Sequence, residues 1–345
     1  LLDIEIPPLR DGQILVRNRY TTLCRSDLHT YSGRRREKSP TILGHEIVGQ
    51  IVRLGKGAPA SDEAGRPLRP GDRVTWAIYA SDPSDRRSQL GIPQKAEGLF
   101  KYGHERVEGE DTLHGGLAEY TILRAYSPIR RLDESVPDPV AALINCSVAT
   151  AAGSLRLAGE LKGRKVLISG AGMLGVVASA MAVEAGARSV CVLDLQEERL
   201  QKARLFGADR GFNVQTDWEE ALASAYGHPS PFDCLLEFSG AADAMEHSLK
   251  LLDIGGTAVW VGATFPQRFV PLNPEYLIRR LLTIRGLHNY NLEDFGRAVD
   301  FIQAYHRSYP FAELVEDCGG LERVNEAFAY GVEHTAYRVG ISLFG

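Results

Sequence analysis

The stretch VLISGAGMLGVVASAMAVEAGARSVCVLD, Val166–Asp194, decides the fold of half the chain. A short apolar run, Val166–Ser169, reads as a buried strand. Gly170, Gly172 and Gly175 follow in GxGxxG spacing. A helical pattern then passes through Met181 and Val183 and stops near Gly186, and a second apolar run, Val190–Leu193, ends on Asp194. Strand, tight turn, helix and strand in this order form a dinucleotide-binding unit. Gly170 permits the turn, Gly172 lets backbone approach a pyrophosphate, and Gly175 lets helix and strand pack closely. The helix start at Met173 and Leu174 offers unpaired N–H groups and a positive dipole end to phosphate. Asp194 lies 24 residues after Gly170. There it is placed to accept hydrogen bonds from a ribose diol and to repel a 2′-phosphate, which favours NAD.

Outward from this unit, strands alternate with helices over residues 146–285. EERLQKARLFGA is helical, Gly211–Val214 a short strand, FDCLLEFSG strand then turn, AMEHSLKLL helix, and Thr257–Ala263 a strand after the Gly255-Gly256 turn. This is the texture of a doubly wound sheet. The first 145 residues differ: short alternating strands such as ILVRNRYTT and GGLAEYTIL are separated by turns, with a long polar excursion at 80–112, as in a β-rich domain. Residues 286–345 return to that style, with a strand expected near Ala312–Val315 and a last one at VGISLF.

Composition bounds the rest. The chain has 345 residues, is 44% hydrophobic and carries a net charge of −5, from 39 basic and 44 acidic residues. It can bury two ordinary cores, and nothing points to a nucleic-acid surface. No apolar stretch free of charge reaches membrane-spanning length. The cysteines at 24, 146, 191, 234 and 318 are odd in number and scattered, which fits a reducing cytoplasm better than a disulfide framework. The opening LLDIEIPPLRDG is neither a signal peptide nor an initiator methionine, so residues are expected to precede it.

Cys24, His45 and Cys146 each sit beside polar or glycine-rich neighbours. Two thiolates and an imidazole suit zinc and leave one position open, as catalytic zinc requires. Separations of 21 and 101 residues cannot group them by pattern, and each cysteine reads equally well as a small buried hydrophobe.

CRSDLH at 24–29, GHE at 44–46, PGDRV at 70–74, GGLAEY at 115–120, NCSVATA at 145–151, GAGMLG at 170–175 and Asp194 together resemble the medium-chain, zinc-dependent alcohol and polyol dehydrogenases over essentially the whole chain. The resemblance implies a Rossmann domain inserted in a β-rich GroES-like catalytic domain. It implies catalytic zinc on Cys24, His45 and Cys146, with Glu46 a nearby carboxylate that ligates transiently. Ser26 and His29 are implied as a proton relay. Without the resemblance, Ser26 and Asp27 read as a turn or cap pair and His29 as a surface residue. Arg25 is implied at the cofactor pyrophosphate, Thr150 near the nicotinamide face, and Val261 and Gly262 near the nicotinamide amide. Arg199 is assigned to the adenine side, with a solvated helix residue as the alternative. His104 and His114 read first as structural or surface histidines. The family also carries a structural zinc lobe with four cysteines. Here those positions hold Asp82, Asp85, Ser88 and Ala96, so that zinc is expected to be lost and the lobe held by other means. Relatives form homodimers or homotetramers, and the same is expected of this chain.

A narrower resemblance rests on HTYSGRR at 29–35, GIPQKA at 91–96, LFKYGHE at 99–105 and RRLLTIRGLHNY at 279–290. These words are similar to alcohol dehydrogenases associated with phosphonate metabolism and imply a small phosphonate-bearing alcohol or aldehyde as substrate. Arg34, Arg35, Arg280 and His288 are then candidates to face the anion, with Asn289 and Tyr290 lining the same cleft. The arginine run reads equally as a solvated face or a subunit contact. A neutral polyol or secondary alcohol is the alternative substrate. A zinc-free quinone or enone reductase on the same fold is the competing activity, and a non-catalytic relative a third reading; the intact Cys/His/Cys set argues against both.

Overall fold

The computed structural model describes residues 1–334 and 336–343. Chain contacts divide it into two compact units, one from Leu1–Ala149 with Asn291–Gly345 and the other Thr150–Tyr290.

Among the described residues the first unit builds a seven-stranded sheet around β1 (Ile14–Leu23). Its remaining strands are β2 (Glu46–Leu54), β3 (Arg73–Trp76), β6 (Tyr120–Leu123), β7 (Ile129–Arg131), β14 (Val315–Asp317) and β15 (Arg338–Ser342). The order is β14-β15-β1-β2-β3-β7, with β6 also paired to β1. Strand β1 is buried on both faces, which is why ILVRNRYTTL alternates only in part. Its ladder with β2 shifts register twice, between Leu15 and Val16 and between Asn18 and Tyr20, so the sheet bends around its core. Ile14, Val16, Ile47, Ile51, Val74, Trp76, Phe100 and Tyr102 fill that core. The polar excursion is not structureless. It contains the hairpin β4 (Tyr79–Ala80) and β5 (Phe100–Lys101), a short helix Arg86–Gln89 and a turn of 3₁₀ helix at Pro93–Lys95.

In the second unit, β8 (Lys165–Ser169), β9 (Ser189–Asp194), β10 (Arg210–Asn213), β11 (Phe232–Glu237), β12 (Leu252–Trp260) and β13 (Thr283–Gly286) pair in parallel. The order β10-β9-β8-β11-β12-β13 reverses direction between β8 and β11, the switch point at which such sheets bind nucleotides. The helix Met173–Glu184 that follows β8 is buried at every residue from Gly175 to Ala182. Its run of alanine, glycine, valine and serine is therefore a packing requirement.

Three expectations are corrected, and one helix is placed. The strand placed at 257–263 begins earlier, at Leu252, and ends at Trp260; Gly255-Gly256 form an irregularity inside it, where the β11 ladder shifts register. The strand expected at 312–315 is a 3₁₀ turn, Phe311–Leu314, whose two ends are buried, and strand begins only at Val315. The helical run Asp138–Ala158, with Asp138 and Arg156 near its ends, is long and apolar enough to cross a membrane by length and composition, but most of it is packed inside the fold, so it is a core helix. Finally, the domain boundaries shift by a few residues. The first half of that helical run packs against β1, β2 and β3, so Cys146 belongs to the first unit. Leu287 bonds the carbonyl of Trp260, so 287–290 close the second.

Candidate functional site

The first unit brings Cys24, His45 and Cys146 together. Their ligand atoms all lie within 4.8 Å of one another. Cys24 follows the last residue of β1 and caps the helix Arg25–Tyr31, while His45 precedes the first residue of β2. The antiparallel register pairs Thr22 with Glu46, so this end of the ladder fixes both ligands side by side. Cys146 lies in a single wider π turn, Ile144–Val148, within the long core helix; such turns often occur at functional positions. Its two neighbours grip the start of β2. Asn145 Oδ1 accepts from the Ile47 N–H at 3.3 Å, and Ser147 Oγ donates to Glu46 Oε1 at 3.0 Å.

This donor set fits zinc. Metal–ligand bonds of about 2.0–2.3 Å put tetrahedral ligand atoms roughly 3.5–3.8 Å apart, so small side-chain adjustments close the observed set. A hydrogen bond from the Cys146 thiol holds Cys24 well below the usual thiol range, and the Arg338 and His45 charges add to it. The same contact pushes Cys146 up. Burial alone would lower His45, but the Asp27 carboxylate and then Cys24 outweigh it and raise its pKa to about 10. Asp27 Oδ1 stands 3.4 Å from His45 Nδ1.

Asp27 organises both ligand segments. It is 1% exposed, and its carboxylate accepts the N–H of Cys24 at 2.9 Å and of Gly44 at 3.1 Å. A carboxylate behind a ligating imidazole fixes the tautomer and aims the other ring nitrogen at the metal. The sequence shows this residue only as a helix-capping carboxylate, three positions after Cys24.

Glu46, expected as a nearby carboxylate that ligates transiently, is held by neighbouring donors in this structure. It stands outside the converging set, and both its oxygens are taken. Thr22 Oγ1 donates at 2.5 Å, Ser147 at 3.0 Å, and Arg338 at 2.5 and 2.9 Å. Arg338 Nη2 also reaches 3.7 Å from Cys24 Sγ. Glu46 and Arg338 are thus a buried ion pair bracing the ligands, and Arg338, on β15, was not singled out from sequence.

Ser26 and His29 lie three residues apart on one face of the helix Arg25–Tyr31, both half-buried, with Arg25 exposed at its start. Burial, then the charges of Arg25 and Arg34, lowers the His29 pKa. The arginine run does not act as one patch. Arg34 is exposed, and Arg35 pairs with Glu37 at 2.7 Å. Glu37 also bonds His104 Nδ1 at 2.9 Å. His104 is buried, its ring centroid 4.8 Å from that of His45, and burial pushes its pKa down to about 4. His114 is buried too.

In the second unit the glycine turn is as the motif requires. Gly170 has φ +95°, and a Cβ on Gly175 would stand 1.9 Å from the Gly170 carbonyl oxygen. A Cβ on Gly172 would meet nothing within 4 Å, and no side chain caps the helix that starts at Met173 and Leu174. The open backbone there fits a pyrophosphate. Asp194 ends β9 beside this turn, its two oxygens accepting the N–H of Ala171 at 2.7 Å and of Gln196 at 2.9 Å. Arg199 is half-buried on the next helix, Glu197–Leu205. Val261 and Gly262 follow β12, their N–H groups on the Glu237 carbonyl, and Thr150 is buried at the unit's start. Glu237 is a further carboxylate at the switch point; it is fully buried, its pKa is raised chiefly by burial, and it accepts from Gly240 N at 3.0 Å. His288 is exposed and Asn289 half-buried, at φ +58°. Arg280 Nη2 donates to the Leu252 carbonyl at 2.7 Å and lies 3.9 Å from the Asp253 carboxylate. Tyr290 is fully buried.

Two family models match the chain: an alcohol dehydrogenase GroES-like domain over residues 10–132 and a zinc-binding dehydrogenase domain over 174–304. Among curated proteins, the L-threonine 3-dehydrogenase of Pseudoalteromonas atlantica is 30% identical over 328 residues, covering 93% of this chain and 86% of that protein. The Escherichia coli L-threonine 3-dehydrogenase is 28% identical, covering 84% and 80%. Among solved structures, an alcohol dehydrogenase from Thermotoga maritima superposes with a TM-score of 0.91 at 25% identity, covering 98% of this chain and 94% of that one.

Proposed function

We propose, because the chain belongs to the zinc-dependent medium-chain alcohol dehydrogenase family, that it interconverts a small alcohol and its aldehyde or ketone using one catalytic zinc and NAD. The observation that carries this reading is the convergence of Cys24, His45 and Cys146 with Asp27 behind the imidazole. When bound, zinc supplies Lewis acidity to the substrate hydroxyl and NAD supplies the hydride acceptor.

The protein's own groups do the rest. Asp27 aims His45, and the Glu46–Arg338 pair holds the ends of β1 and β2 in register while Arg338 adds positive charge beside Cys24. Ser26 and His29 carry the hydroxyl proton outward. The depressed pKa of His29 keeps its ring unprotonated near neutral pH and ready to accept. In the second unit the amides at Met173 and Leu174 take the pyrophosphate. Asp194 takes the adenosine ribose and disfavours a 2′-phosphate, and Thr150, Val261 and Gly262 serve the nicotinamide end.

For the substrate we infer an alcohol bearing an anionic group, with a hydroxyalkylphosphonate first. The curated relatives' name adds a second candidate, the hydroxy amino acid L-threonine. A homo-oligomer in the cytoplasm completes the reading.

The test is metal analysis followed by NADH absorbance with 2-hydroxyethylphosphonate, 2-hydroxypropylphosphonate, L-threonine, a polyol and a simple secondary alcohol. About one zinc per chain and NAD-dependent oxidation are expected. A chain that binds no zinc and reduces enones instead would overturn the reading. Two zincs per chain would overturn the single-site assignment.

A further inference from the structure

Lys101 is placed by a turn that rests on a metal ligand. It ends β5, paired with Tyr79 of β4. Its neighbours Phe100 and Tyr102 are buried in the core of the sheet. Alternation along the strand therefore sends the Lys101 side chain to the opposite face. From Lys101 the chain turns tightly, with His104 N–H on the Lys101 carbonyl at 3.2 Å, and lays the His104 ring against His45. The segment is held on its other side by Val107 N–H on the Pro40 carbonyl at 2.7 Å.

The lysine is half-buried, and its charge senses Arg35, Cys146, Glu37 and Lys95. The nearby carboxylates are committed elsewhere. Glu37 is shared by Arg35 and His104, and Glu105 is paired with Lys38. Among the described residues no carboxylate comes within ion-pair distance of the Lys101 ammonium. A half-buried ammonium with no carboxylate at ion-pair distance, on a turn whose His104 ring lies against His45, is suited to take an anion. The arginines that the sequence offered for this purpose are less suited, since Arg34 is exposed and Arg35 is neutralised.

We propose that Lys101 is the specificity-determining residue of the metal pocket, its ammonium receiving the phosphonate, phosphate or carboxylate head of an alcohol whose hydroxyl is presented at Cys24, His45 and Cys146. This assignment rests on the dehydrogenase reading above for its hydroxyl end and on Lys101 alone for its anionic end.

The test uses the zinc-loaded full chain as wild type, Lys101→Met and Lys101→Arg. Calorimetry measures binding of methylphosphonate, which has no hydroxyl to oxidise. Kinetics compare 2-hydroxyethylphosphonate, L-threonine and 1-propanol. Lys101→Met is expected to weaken methylphosphonate binding and to cut kcat/KM for the preferred anionic alcohol by about tenfold or more, while 1-propanol changes by less than about twofold; Lys101→Arg restores most of the loss. Whichever of the phosphonate and the amino acid loses more identifies the head group. Equal methylphosphonate affinity in wild type and Lys101→Met, no binding in wild type, or an equal loss on 1-propanol overturns the proposal. Binding that depends on Lys101 in a protein that oxidises none of the alcohols keeps the anion subsite and overturns the dehydrogenase reading.

Discussion

Replacing Arg338 by methionine should strand a charge at the centre of the first unit. Glu46 is 0% exposed and Arg338 7%. Of the four hydrogen bonds on the Glu46 carboxylate, two come from Arg338 and the others from Thr22 and Ser147. Removing one partner of a buried pair leaves the other uncompensated and costs about 3–5 kcal/mol. At 2–4 °C per kcal/mol this is a fall of roughly 6–20 °C in Tm. The Tyr337 carbonyl loses its 2.7 Å donor as well. The double variant Glu46→Gln/Arg338→Met removes both charges and should recover about 2 kcal/mol or more of the loss. Denaturant unfolding of wild type, both single variants and the double variant closes the cycle. Zinc affinity, read by competition with a chromophoric chelator, should fall in Arg338→Met because the strand ends that carry Cys24 and His45 lose their brace. A coupling energy below about 1 kcal/mol, the range of exposed pairs, would refute the view that this pair braces the ligands.

Thiol labelling gives a second check. Burial pushes Cys191 and Cys234 up to about 12, so both should resist alkylation until the protein unfolds. Cys24 should label first in the metal-free protein, and added zinc should protect it; mass spectrometry reads the order. The depressed pKa of His29 keeps the base form present to lower pH, so the acid limb of kcat/KM should fall below the usual imidazole value of about 6.5. Arg34→Gln removes a charge that holds it down and should move that limb upward; an unmoved limb counts against the relay. Asp85→Ala removes the acceptor for the N–H groups of Arg87, Ser88 and Glu97, and hydrogen exchange should quicken over 86–97 while the rest of the chain keeps its protection. Asp194→Ala should weaken NAD binding by about tenfold and erode discrimination against NADP; unchanged affinity removes its assigned role.

The nucleotide unit was legible because its determinants are local. Gly170 to Asp194 carry turn, helix and strand within one short span, and period alone separates them. The metal centre was not legible from spacing. Cys24 and His45 meet because β1 and β2 pair Thr22 with Glu46, and Cys146 arrives because Asn145 and Ser147 dock on that same strand end. Only the family resemblance grouped them. Arg338 lies 292 residues from Glu46, and no periodicity links them. The π turn around Cys146 was hidden for another reason: AALINCSVATAAG has the same apolar composition whether it winds as α or π helix. The sequence showed the charge of the arginine run without the partner that Arg35 finds. Glu37 sits two residues from Arg35, but its second tie, to His104, exists only once the turn after Lys101 has folded back.

The lobe at 82–97 is closed by carboxylates. Asp82 accepts from Ser84, and Asp85 from Arg87, Ser88 and Glu97. Aspartate is not a substrate for peroxide, and its bonds to backbone N–H groups do not depend on the supply of a metal. Backbone hydrogen bonds, joined in Asp82 by the Ser84 hydroxyl, lower both pKa values. Their support is therefore present above the unfolded aspartate pKa and fades only as pH falls through the folded one. With zinc held at Cys24, His45 and Cys146 as proposed, a cell short of zinc would empty that centre while this lobe stayed folded. The enzyme would then go silent without exposing the lobe to proteases, and returning zinc would restart it.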